Sequence, residues 1–210
     1  MPEAYTDTHA HLSYAKDTGL LDELDNVYRE SKSLIIDPGV DYNDFSERVN
    51  RYGNYTWIRF AAGIWPDEYP LMHQQTALET LEQSVRHASC SLVGECGLDY
   101  HWMKADAETQ ARLFCAQIEL AVQYQKPLII HSRDAFVDTL HCLKPALGKI
   151  PLVFHCFSYG VEELAVLARQ GFYISFSGNI TYKRMRAVCE AISSLPQKQL
   201  LLEKIGRAHV

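Results

Sequence analysis

Pro127-Leu128-Ile129-Ile130-His131-Ser132-Arg133 is an apolar run that stops abruptly at a histidine, a serine and an arginine. A run this short and this apolar reads as a strand of a parallel sheet covered on both faces. The residues Pro127–His131 form its body, and the polar residues stand at its C-terminal edge. The same pattern recurs along the chain. Leu92–Glu95 ends in a carboxylate, Leu152–Phe157 carries His155, and Ala4–Thr8 leads into His9-Ala10-His11. Leu34–Pro38, Trp57–Gly63, Phe172–Ser177 and Gln199–Glu203 complete the strand candidates.

Amphipathic helices are predicted between these runs. They cover Leu20–Ser31 with Thr18 as its cap, Asn43–Tyr52, Thr76–Ala88, Ala107–Tyr124, Val161–Gln170 stopped by Gly171, and Lys183–Ser194 ending before Leu195-Pro196. In Ala107–Tyr124 the residues Ala111, Phe114, Cys115, Ile118, Ala121 and Val122 form one wide apolar stripe. Strands alternating with helices imply a parallel sheet, either closed into a barrel or doubly wound and open. Barrel enzymes place polar groups at the C-terminal ends of many strands, whereas open sheets concentrate them at a switch point. Here nearly every strand candidate ends in His, Asp, Glu or Ser, so the expected fold is α/β, a TIM (β/α)8 barrel.

Composition narrows the class. The 210 residues suit one domain, and 47% hydrophobic with 22% charged residues is the balance of a soluble globular protein. A net charge of −6 argues against broad, charge-driven coating of nucleic acid. It leaves room for an enzyme that grips a few phosphates locally. No leader pattern opens the chain, and its longest apolar runs are too short to cross a bilayer. The six cysteines lack a C-x-x-C pair and read as reduced thiols, so a cytoplasmic location is expected.

The strand ends carry the chemistry. His9 and His11 lie two residues apart, and side chains on a strand repeat every two residues, so both imidazoles share a face. Such a pair suits a divalent metal, and is equally the pattern of two polar loop residues. Glu95 lies between Gly94 and Gly97 where an apolar run stops, the place for a carboxylate that bridges two ions; a turn with a surface Glu reads the same way. A single histidine such as His131 or His155 is ordinarily a hydrogen-bonded rim residue. Together with His9, His11 and Glu95, however, they put five ligand-type residues at one edge of four strands, which packing alone does not explain. Arg133 could clamp an anionic oxygen or form a plain salt bridge. Asp99 reads as a partner that orients a histidine or as a loop residue. Lys183 reads as a phosphate contact or a solvated helix start.

Asp7-Thr8-His9-Ala10-His11-Leu12, Gly94-Glu95-Cys96-Gly97-Leu98-Asp99-Tyr100, Ile130-His131-Ser132-Arg133-Asp134-Ala135 and His155-Cys156-Phe157-Ser158 resemble the motifs of the TatD deoxyribonuclease family. The resemblance runs in order from about Tyr5 to Glu203. It implies a metal-dependent TIM barrel of the amidohydrolase type with two divalent ions (Mg²⁺, Zn²⁺ or Mn²⁺). His9 and His11 would hold one ion, Glu95 would bridge, and His131 and His155 would serve the second. It also implies DNA as the substrate, with hydrolysis that is often exonucleolytic. An ester or amide hydrolase acting on mischarged tRNA is the runner-up, and a non-catalytic binding protein the third reading.

Two departures accompany the resemblance. The family pattern Gly-Ile-His-Pro is here Gly63-Ile64-Trp65-Pro66, and Trp65 could stack on a nucleobase or pack against a loop. The family's final Leu-Leu-Glu-Thr-Asp is here Leu201-Leu202-Glu203-Lys204-Ile205, with Ile205 where a metal-binding Asp is expected. Barrels of this type run to about 250 residues, so the last helix is expected to be missing. Ile205–Val210 also matches one reading frame of a common sequencing adapter. The expected organisation is therefore a single barrel domain over 1–203 and a non-native tail over 204–210, with weak metal binding and slow turnover.

Overall fold

In the computed structural model, which describes residues 4, 6–14, 19–39 and 41–203, eight strands pair in parallel in chain order. They are β1 (Thr6–Asp7), β2 (Leu34–Asp37), β3 (Ile58–Ala62), β4 (Cys90–Asp99), β5 (Leu128–Arg133), β6 (Leu152–Phe154), β7 (Tyr173–Phe176) and β8 (Leu200–Leu202). Thr8 donates its N–H at 3.1 Å and its hydroxyl at 3.0 Å to the Leu202 carbonyl. Those bonds join the first and last strands, which closes the sheet into a barrel and removes the open-sheet alternative.

Helices α1 (Gly19–Ser31), α2 (Phe45–Tyr52), α3 (Glu68–Met72), α4 (Gln74–Arg86), α5 (Ala107–Gln123), α6 (Phe136–Leu143), α7 (Val161–Arg169) and α8 (Arg186–Ala191) follow the strands. α5 starts where Asp106 accepts a hydrogen bond from the Thr109 N–H at 2.7 Å, a side-chain cap for an otherwise unpaired amide. Its buried residues Gln110, Leu113, Phe114, Gln117, Ile118 and Ala121 make one face. None of the helices among the described residues is long and apolar enough to cross a membrane. The six cysteines are free thiols.

Ala61, Leu92 and Ile129, with Ile36 against them, form a cluster separate from the main core. They come from four neighbouring strands and fill the barrel, while residues of opposite parity, such as Leu128 and Ile130, join the helix-facing core. Strand alternation then gives His131 the parity of Ile129, pointing it to the barrel axis.

The structure departs from expectation in several places. β4 runs on past Glu95 to Asp99, with its register slipping between Val93 and Cys96 and resuming with Cys96 opposite Ile130 and Gly97 opposite His131. Gly97 has φ +154°, and a Cβ there would lie 1.8 Å from the His131 carbonyl oxygen, so only glycine allows β4 and β5 this close. The short helices α3 and α6 were not predicted; one and two turns give too little periodicity to separate them from loops. Lys183–Ser194 divides into a 3₁₀ turn (Lys183–Met185), α8 and a second 3₁₀ turn (Ile192–Ser194). The expected cap Thr18 and the tail 204–210, with Ile205, lie outside the described residues.

Candidate metal centre

Glu95 stands at the middle of the barrel mouth, and its two oxygens face two different pairs of histidines. Oε2 lies 3.0 Å from His9 Nε2 and 3.8 Å from His11 Nε2. Oε1 lies 3.0 Å from His131 Nδ1 and 2.9 Å from His155 Nε2. The two nitrogens of each pair are also close, 3.1 Å for His9 and His11 and 3.4 Å for His131 and His155. The structure therefore brings together all five residues expected at the centre.

These separations suit a cation. Donors about 2.0–2.1 Å from a tetrahedral ion stand roughly 3.4 Å apart, and the observed range brackets that value. Three groupings of ligand-type atoms within 4.8 Å of one another appear among the described residues: His9/His11/Glu95, Glu95/His131/His155 and His9/His155/Glu203. His9 Nε2 points into the group, while its Nδ1 is buried with no hydrogen-bond partner among the described residues. The His9 and His155 rings stack at 4.2 Å with an interplanar angle of 6°, which holds both flat against each other.

Burial and neighbouring charges pull the groups of this cluster in opposite directions. Burial alone would raise the Glu95 carboxyl, but the imidazoles of His155 and His9 and the hydrogen bonds from His131 and His155 hold it well below the usual carboxylate range. Burial would lower His155, yet the Glu95 charge and the nearby Glu203 carboxylate carry it well above its ordinary value. His131, likewise desolvated, is raised by Asp99 and Glu95 on its two sides. His11 moves the other way, lowered by burial and by the charge of His9.

Asp99 is not in the groupings but serves them. Its Oδ2 accepts a hydrogen bond from His131 Nε2 at 2.9 Å, which leaves Nδ1 as the nitrogen facing Glu95. Of the two sequence readings of Asp99, this contact is the one that an orienting partner of His131 would make. Trp65 sits edge-on to His131, with ring centroids 5.6 Å apart, and helps line a cavity of about 280 Å³ with His11, Pro38, Gly39, Asp41, Gly63 and Glu95. Arg133 is exposed, with its guanidinium over the Trp102 ring, 5.8 Å from the centroid. Lys183 is exposed in its 3₁₀ turn, and among the described residues no ion pair joins it to the centre.

Glu203 was missed as a site residue. It is buried, takes the Ser175 hydroxyl as a hydrogen-bond donor, and its Oε1 lies 3.7 Å from His155 Nδ1. The signal was present, since Leu201-Leu202-Glu203 is an apolar run ending in a carboxylate, as at Glu95. Gln110 and Gln117 were also missed. Gln110 binds both backbone groups of Asp99, and Gln117 accepts from the Ile64 N–H at 2.7 Å and donates to its carbonyl at 3.0 Å. Seven residues apart, they lie on one face of α5, two polar residues in a stripe that is otherwise apolar.

Residues 6–204 match the family model described as TatD related DNase. A protein of Bacillus subtilis described as the uncharacterized metal-dependent hydrolase YabD is 32% identical over 202 residues, 94% of this chain and 78% of the relative. The 3′-5′ ssDNA/RNA exonuclease TatD of Edwardsiella piscicida is 32% identical over 154 residues, covering 72% of this chain and 58% of the relative. The crystal structure of YjjV, a TatD homologue from Escherichia coli K12, superposes with a TM-score of 0.79 at 28% identity, covering 95% of this chain and 78% of that one.

Proposed function

The chain belongs to the TatD-related DNase family of metal-dependent hydrolases, and from that premise we propose that it is a phosphodiesterase that trims single-stranded DNA. The observation that carries the reading is Glu95, whose two oxygens each face a separate histidine pair. One carboxylate shared in this way suits two divalent ions side by side, the arrangement that clamps the attacking and leaving oxygens of a phosphodiester. His9 and His11 would hold one ion, His131 and His155 the other, and Glu95 both. Imidazole-rich donor sets favour Zn²⁺ or Mn²⁺ over Mg²⁺. When bound, such ions supply positive charge to the phosphate and lower the pKa of water.

The protein's own groups do the rest. Asp99 keeps the proton of His131 on Nε2, and so keeps Nδ1 directed inward. Burial of His9 and His155 keeps bulk water from competing with the Glu95 carboxylate for these two histidines. Trp65 walls the cavity beside Glu95, where a flat ring suits the face of a terminal base. The name of the E. piscicida relative, a 3′-5′ ssDNA/RNA exonuclease, supports a nucleic-acid strand as the substrate and exonucleolysis as the mode.

The reading is tested by incubating single-stranded DNA, labelled at either end, with the protein and Mg²⁺, Mn²⁺ or Zn²⁺, beside a chelator control. Slow trimming that needs metal and disappears in the His9→Ala/His11→Ala variant is the expected result. A folded, metal-loaded protein that leaves the DNA intact would overturn it.

A further inference from the structure

Trp102 is 56% exposed, although Trp57 of the same chain is 2% exposed. A single exposed apolar side chain is ordinary, but this one is held in place. Asp99 Oδ1 accepts hydrogen bonds from the backbone N–H of His101 at 3.0 Å and of Trp102 at 2.8 Å. The other oxygen of the same carboxylate holds His131. The His101 ring meets the indole edge-on, with centroids 5.0 Å apart and planes at 89°, and the Arg133 guanidinium lies over the ring. One carboxylate therefore positions both a histidine of the metal centre and an aromatic ring outside it.

The placement relates the ring to the reacting group. Asp99 and Arg133 are register partners at the ends of β4 and β5, the strands that carry Glu95 and His131. Arg133 follows His131 by two residues, about 6.6 Å further along the strand and on the same side. Trp102 and Arg133 thus stand just above the metal centre, on the side of the mouth built by these two strands.

From this geometry we infer that Trp102 and Arg133 form a subsite for an unpaired nucleobase and its phosphate, on the strand leading away from the metal centre. The inference rests on the phosphodiesterase reading above and names where that substrate is gripped. An indole stacks on any base regardless of sequence, and a guanidinium both adds a cation–π contact and pairs with phosphate. With a net charge of −6 the protein has no excess of positive charge to hold a polyanion, so a strand must be held by a few discrete contacts of this kind.

The test is binding of fluorescein-labelled dT12, and of a strand of equal length with abasic sites in place of its bases, measured by anisotropy in EDTA. The wild-type protein should bind dT12 roughly 5- to 150-fold more tightly than the abasic strand, the range of one stacked base. Trp102→Ala should lose the part of that preference that one stacked base supplies, leaving any share due to Trp65, and Trp102→Phe should keep most of it. Arg133→Ala should reduce the slope of log affinity against log salt by roughly 0.7, one phosphate on a single strand. Melting curves of the variants check that they fold. A wild-type protein that does not prefer dT12, or a Trp102→Ala protein that keeps the full preference, overturns the subsite. Metal-dependent hydrolysis of bis(4-nitrophenyl) phosphate by the wild-type protein tests the chemistry separately, because that compound has neither base nor strand. Hydrolysis without base preference removes the subsite alone, and base preference without hydrolysis removes the phosphodiesterase reading.

Discussion

Gln110 closes both main-chain hydrogen bonds of Asp99, its Oε1 accepting from the Asp99 N–H at 2.8 Å and its Nε2 donating to the Asp99 carbonyl at 3.1 Å. The second N–H of the same amide reaches the Ala105 carbonyl at 3.0 Å. A residue on the outer helix layer thereby fixes the peptide that orients His131 and the Trp102 loop. Replacing it with leucine leaves buried backbone groups without partners, at about 1–3 kcal/mol for each. With the two buried Asp99 groups left open, Gln110→Leu should therefore lose roughly 2–6 kcal/mol of stability in urea unfolding. An unchanged midpoint and slope would show that the peptide finds other partners.

Asp99→Asn keeps the shape of the side chain while changing what His131 Nε2 meets. The ring loses a carboxylate that fixes its tautomer, and partners of this kind are worth about 10- to 100-fold in metal affinity. Calorimetric titration with Zn²⁺ or Mn²⁺ should show a loss of that size for the ion at His131 and His155. Equal affinity in the two proteins would mean that Asp99 serves only the loop.

Glu95→Gln removes the charge shared by both histidine pairs. The wild-type protein should melt at a higher temperature as Zn²⁺ or Mn²⁺ is added, since an ion at 100 times its dissociation constant stabilises by about 2.7 kcal/mol. The variant should lose most of that response, together with any metal-dependent hydrolysis, by roughly 100-fold or more. Retention of a full thermal response would place the ion elsewhere.

Gly97→Ala puts a methyl group 1.8 Å from the His131 carbonyl at φ +154°, and should cost about 3 kcal/mol or more. Gly148 also has a left-handed φ, +71°, but open space around it. Gly148→Ala should cost only about 1–2 kcal/mol, the local strain of that conformation. Comparing the melting temperatures of the two variants separates close approach of strands from backbone preference, and equal losses would contradict the packing argument.

Much of the site was legible because its residues sit at apolar-to-polar boundaries of single strands. His131, His155 and Glu95 each end a short hydrophobic run, and His9 and His11 share a face by their spacing alone. Glu203 carries the same signal at the end of Leu201-Leu202, but its contact with His155 depends on how β6, β7 and β8 pair. The role of Arg133 depended on which neighbour its long side chain would meet, and that neighbour, Trp102, lies on a different strand's loop.

Local pattern alone thus determined the strand and helix alternation, the barrel expectation and the five residues at its mouth, since the periods of strand and helix are properties of consecutive residues. Three things were decided only by the tertiary structure. Asp99 turns one oxygen to His131 and the other to the Trp102 loop, Glu95 divides its oxygens between two histidine pairs, and Gln110 holds a peptide eleven residues away. Each depends on the register between strands or on how a helix docks against them, and hydrogen bonds form by distance in space, which the order of residues along a chain does not specify.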